Sequence, residues 1–262
     1  MCCNEFVKLI RTKMVYISLL VGLVSCLCGL YSYYDTAYFA YEANCPEEIS
    51  AYNAWLDCLS VGTSFYRIMQ PLIIVPFIGS YFIERKSGYT NMLLTRTSRK
   101  KYFFSKWFTG IVSAVLITFL VLFLTFLICC VLFPLNQPLP QSTHLHKNFG
   151  LVYFLNHPVR CIFLMIAGNM FFSAVYYTIG FSFSNIVSNL YVLHIVPFLL
   201  YMLQLILSQM FNISWLSPFI FPAYYEVVGL TPTLMIVVGV FYIIIAFLFL
   251  LYCYRKDKDL AN

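Results

Sequence analysis

The chain has 262 residues, of which 61% are hydrophobic and only 10% charged, with mean hydropathy +0.83 and a formal net charge of +6. No soluble domain hides that much apolar surface, so the composition excludes a water-soluble enzyme and implies an integral membrane protein. The cations lie in short segments beside apolar runs, which fits orientation in the bilayer and contact with anionic lipid rather than nucleic-acid binding.

Residues 1–13 place Phe6, Leu9 and Ile10 on one helical face and Lys8, Arg11 and Lys13 near the other, the pattern of an amphipathic interfacial helix leading into the bilayer. A first span is expected over 14–34. It contains Leu23-Val24-Ser25-Cys26, a lipoprotein-like cleavage signal, but the apolar run continues past Cys26, which favours an uncleaved span. The stretch 35–60 carries Asp35, Glu42, Glu47, Glu48 and Asp57 without any Lys or Arg, and reads as an outer loop, partly helical. Cys45 and Cys58 share that loop, and whether they form a disulfide depends on the redox state of the compartment. The other cysteines sit in apolar runs or at the N-terminus. A second span is expected over 61–83, with Arg67, Pro71 and Pro76 inside it; prolines free carbonyls and kink a helix.

Residues 84–107 hold seven of the sixteen Lys and Arg against a single acid, Glu84. A short loop this basic beside membrane spans stays on the cytoplasmic side and fixes the orientation of every other segment. A third span follows over 108–133. The stretch 134–159, with Pro134, Pro138 and Pro140, is expected to be an outer connection with little regular structure. Its His144 and His146 lack a third fixed ligand, so no metal site is expected. The fourth span is 160–183, then a polar, uncharged inner turn at 184–189, then a fifth span over 190–211 interrupted by Pro197. Residues 212–233, cut by Pro218, Pro222 and Pro232 and carrying Glu226, are expected to lie on the outer surface or re-enter it. A last span over 234–254 ends in Arg255, Lys256 and Lys258. The expectation is one all-α membrane domain over 1–262 with six transmembrane helices and both termini cytoplasmic.

The sequence holds no GxxxxGK[ST] phosphate loop, no HExxH and no GxSxG elbow, so it offers no ATP site of the usual kind and no catalytic residues. The span centres also lack Asp, Glu and Lys, so uphill transport would draw its energy from a partner. Arg67 either snorkels to the headgroups or lines an outer vestibule. Asn169, His194, Gln204 and Gln209 suit packing between helices. Alternatively, Arg67, Asn169, Gln204 and Glu226 line a substrate path, and His194 with Asn169 is the one pair an intramembrane enzyme would use.

Glu84-Arg85-Lys86-Ser87-Gly88, Leu93-Leu94-Thr95, Ser98-Arg99, Tyr102, Ser105 and Lys106 resemble the loop between the second and third spans of ABC-2 type permeases, the membrane subunits of one class of ATP-binding-cassette exporter. Glu5, Lys8, Arg11 and Lys13 resemble that family's amphipathic leading helix. Arg96 departs from the pattern, since the family more often has a proline there. The resemblance implies that Glu84, Arg85, Gly88, Leu93, Leu94, Arg99 and Lys106 couple the chain to a cytosolic ATPase subunit, which would hold ATP and magnesium while this chain binds no cofactor. It also implies a second permease copy or a related permease, and a multi-pass protein of a bacterial plasma membrane. The cargo it would export is hydrophobic or amphipathic: a peptide (including self-protection against one), an antibiotic or a lipid. A non-transporting scaffold or sensor whose basic loop docks a partner is the alternative.

Overall fold

The computed structural model describes residues 13–42, 49–59, 74–88, 90, 97–137, 149–218 and 231–259. Among them the chain is helical, without strands: α1 (Lys13–Glu42), α2 (Ala51–Asp57), α3 (Val75–Lys86), α4 (Arg99–Leu132), α5 (Phe149–Asn156), α6 (Pro158–Phe183), α7 (Leu190–Met210), a 3₁₀ turn (Ser214–Leu216) and α8 (Pro232–Asp259). Five of these, α1, α4, α6, α7 and α8, are long and apolar enough to cross a membrane. The helix expected within 1–13 falls outside the described residues apart from Lys13, the first residue of α1.

The helices outrun the expected spans because charged and aromatic ends continue the helix beyond the apolar slab. α4 has 34 residues, about 51 Å of helix against a hydrocarbon core of about 30 Å. Its surplus includes residues 99–107, ahead of the expected span, with the cations Arg99 to Lys101 in the first turn. α1 likewise runs on past Asp35 to Glu42. Pro197 does not break α7, which is continuous across it. The stretch expected to be irregular between α4 and α6 contains α5.

α4 and α6 form the central pair, with α1 and α2 against α4, α3 and α7 against α6 and each other, and α8 against α6. Small side chains make the central contact close. Ser105, Thr109, Ser113, Thr118 and Thr125 run down a buried face of α4. Most of these hydroxyls donate to a carbonyl one turn back, and the Thr118 and Ser173 hydroxyls share a hydrogen bond of 2.7 Å across the interface. In lipid, where apolar surface gains little by leaving the solvent, such small and hydroxylic residues are what let two helices approach.

The stretch 35–60, expected to be partly helical, holds the last residues of α1 and the whole of α2. Ala51, Ala54, Trp55 and Cys58 are buried on one helical face, and the Trp55 Nε1–H donates to the Leu122 carbonyl at 3.2 Å. The Ala51 amide donates to the Pro134 carbonyl at 2.9 Å, at the C-terminal end of α4. At the other end of α4, Glu84 meets Tyr102 and Lys106. α2 therefore packs near the C-terminal end of α4, and α3 near its start. Residues 60–73, which hold Arg67 and Pro71 of the expected second span, lie outside the described residues.

Gly110 faces Tyr177 so closely that an added Cβ would lie 1.8 Å from the phenol oxygen and 2.2 Å from Cζ. Tyr177 is itself buried and has nowhere to go. Gly110→Ala should lower thermal stability in detergent by about 1–3 kcal/mol, and pairing it with Tyr177→Leu should recover part of the loss. Equal stability of Gly110→Ala and the parent protein would refute the close crossing.

Candidate functional site

The stretch 84–107 is mostly two helix ends. α3 stops at Lys86, where the Ser87 amide donates to the Ile83 carbonyl at 3.0 Å and the Gly88 amide to the Arg85 carbonyl at 3.3 Å. Gly88 has φ 74°, the left-handed conformation that ends many helices and favours glycine. α4 begins at Arg99 after an extended Ser98. The reversal sets Glu84 opposite Tyr102 and Lys106, which are four apart and share one face of α4.

There the Lys106 Nζ donates to Glu84 Oε1 at 2.8 Å and the Tyr102 hydroxyl to Oε2 at 2.5 Å. The side chains of Lys106 and Glu84 are only 3% and 10% exposed. Taking both charges out of water is costly, and the direct contact together with the phenol on the second oxygen offsets it. Tyr81, Phe103, Phe181 and Tyr254 close over this centre. Phe103 stands with its ring centroid 5.7, 5.2 and 5.1 Å from those of Tyr81, Phe181 and Tyr254, so α3, α4, α6 and α8 meet at one aromatic cluster.

The two cations that end α3 reach across to the turn between α6 and α7. Arg85 Nη1 donates to the Asn185 carbonyl and Oδ1 at 3.4 and 3.3 Å, and Lys86 Nζ donates to the Ser188 carbonyl at 3.3 Å. This is the negative end of the α6 dipole, a favourable place for a guanidinium. Arg85, Lys86, Arg99 to Lys101 and Arg255 are thus gathered at one end of the helix bundle.

Of the expected coupling residues, Glu84, Arg85, Gly88, Arg99 and Lys106 lie here. Leu93 and Leu94 fall outside the described residues, as do Glu5, Lys8 and Arg11. Of the residues proposed for a substrate path, Asn169 and Gln204 are described and stand in separate contacts. Asn169 is buried and its Nδ2 donates to the Met165 carbonyl at 2.8 Å. Gln204 accepts from the Tyr176 hydroxyl at 2.6 Å and donates from Nε2 to the Leu216 carbonyl at 2.8 Å and to the Tyr242 hydroxyl. It pins α6, α7, the 3₁₀ turn and α8 together. Arg67 and Glu226 lie outside the described residues. His194 abuts Gly79, and Gly180 abuts Ile78 and Pro197. Asn169 is therefore about three turns of α6 away from the level of His194, which separates the enzyme pair. Cys58 is a buried free thiol hydrogen-bonded to Cys129, and Cys45 lies outside the described residues. Among the described residues no three His, Cys, Asp or Glu side chains form a group able to hold a metal ion.

Sequence reasoning reached Glu84 and Lys106 but not their contact, and it missed Asn185 and Ser188. Nothing in that neutral turn signals its partner, which lies about a hundred residues earlier.

A family model described as an ABC-2 family transporter protein matches residues 2–185, which takes in the basic hairpin, α4 and α6. No curated protein and no solved structure matches the chain.

Glu84→Leu leaves a buried ammonium without its counter-charge and should destabilise the protein by about 3–5 kcal/mol. Combining it with Lys106→Met should cost less than Glu84→Leu alone, read as thermal unfolding in detergent. A double variant as unstable as the two single losses added together would contradict a direct pair.

Proposed function

The chain belongs to the ABC-2 family of transporter proteins, and from that premise we propose that it is the permease subunit of an exporter driven by a separate cytosolic ABC ATPase. The family is a membrane transport component without catalysis of its own, and it implies association with such an ATPase. ATP and magnesium then belong to the partner, in keeping with the missing phosphate loop. A second permease, identical or related, completes the path, and cargo moves between the two.

The observation that carries this reading is the cationic helical hairpin whose base is locked by Glu84, Lys106 and Tyr102. An ATPase moves a permease only through elements it touches, and a short loop between two helices works as a lever when its base cannot flex. In this reading the cationic end faces the cytoplasm with both termini, since Lys and Arg beside spans resist translocation. The membrane is a bacterial plasma membrane. Closing of the ATPases tilts α3 and α4 and opens the path outward. Exposed faces of α7 and α8 are apolar and aromatic, and the span centres carry no Asp, Glu or Lys. That lining suits a hydrophobic peptide, an antibiotic or a lipid better than an ion.

Leu93 and Leu94, in the segment joining the helices, supply the apolar side chains that would fill a groove on the ATPase. Replacing both with Asp should abolish co-purification of the ATPase while leaving membrane insertion intact. Undiminished co-purification would sink the lever and leave a scaffold or sensor as the reading.

A further inference from the structure

The hairpin holds a second set of contacts that the lever alone does not use. Glu84 ties α3 to α4, but the adjacent Arg85 and Lys86 turn the other way, onto the neutral turn between α6 and α7. That turn is short and internally braced. The Ser184, Asn185 and Ile186 amides donate back to Phe181, Ser182 and Phe183 at 3.0, 3.3 and 2.9 Å, so the turn continues the end of α6. Asn189 then caps α7, its Oδ1 accepting from the Tyr191 amide at 2.9 Å. A force on residues 185–188 has little slack to take up before it reaches either helix.

The packing beyond the turn is equally tight. A Cβ on Gly79 of α3 would lie 2.6 Å from the His194 Nε2 of α7, and one on Gly180 of α6 would lie 2.5 Å from Ile78 of α3. α3, α6 and α7 therefore meet with backbone close to side chain on both sides of the turn.

We infer that the α6–α7 turn is the relay by which displacement of the hairpin reaches the second half of the bundle, with Asn185 and the Ser188 carbonyl as its positioning groups for Arg85 and Lys86. The inference rests on the reading of the hairpin as the element an ATPase moves. It adds that α6 and α7 move with α3 through a specific polar contact, not only through α4. Arg85 sits at the negative end of the α6 dipole, so the contact is attractive without any acid in the turn. Asn185→Asp should keep it by replacing a neutral acceptor with a charged one, whereas Asn185→Leu removes the side-chain acceptor.

The test is hydrogen–deuterium exchange on the permease purified together with its ATPase, with and without a non-hydrolysable ATP analogue. In the parent complex, peptides covering 84–106 and 184–196 should both change exchange on nucleotide binding. In Asn185→Leu and in Arg85→Met the change in 84–106 should persist while that in 184–196 shrinks about fivefold. Asn185→Asp should restore it, a rescue that a merely destabilising substitution would not show. Peptides covering 204–216 serve as the control for folding and should stay as in the parent. A full response in 184–196 of both disrupted variants would overturn the relay and leave the hairpin reading standing. No response of 84–106 in the parent complex would overturn both.

Discussion

A buried ion pair joins the ends of α3 and α4 at the cationic end of this protein. Glu84 and Lys106 are nearly sealed from solvent, with the Tyr102 phenol on the second carboxylate oxygen. Because each charge is stranded without the other, the ends of α3 and α4 cannot separate cheaply. That constraint holds the last turn of α3 against the first turns of α4. It also fixes where Arg85 and Lys86 lie, and hence their reach to the α6–α7 turn. The aromatic cluster around Phe103 and Tyr254 carries the same constraint to α8.

Away from the cationic end, the described contacts around Gln204 join neutral groups. Gln204 gathers Tyr176, Tyr242 and the Leu216 carbonyl. Asn212 stops α7 with φ 51°, its amide donating to Gln209 at 3.3 Å and that of Ile213 to Ser208 at 2.9 Å. These are the two hydrogen bonds of a helix-ending motif that asparagine tolerates almost as glycine does. The Asn212-Ile213-Ser214 sequon thus has a structural reason to hold an asparagine, independent of any glycan. A neutral, paired node can re-form after small movements without exposing a charge to lipid.

What could be read from the sequence follows from which signals are local. Five of the expected membrane helices are present, because twenty apolar residues in a row announce themselves regardless of context. The Glu84 to Lys106 stretch and its family were legible because the residues are close in sequence. The partial helix expected within 35–60 is present as α2, and the spacing of Ala51, Ala54, Trp55 and Cys58 marks its buried face. Pro197 was expected to interrupt α7, yet the helix continues across it, with Gly180 lying against the proline ring. Asn185 and Ser188 could not be found this way, since an uncharged turn gains its meaning only from cations that tertiary packing brings to it.

The central claim is that residues 89–96 are the handle of a cytosolic motor. A photo-crosslinking amino acid at Asn91, in cells expressing the permease with its ATPase, tests it most directly. The account predicts an adduct with the ATPase and no reaction of a cysteine at the same position with a membrane-impermeant thiol reagent added outside. Labelling of that cysteine from outside, or adducts with lipid alone, would contradict it.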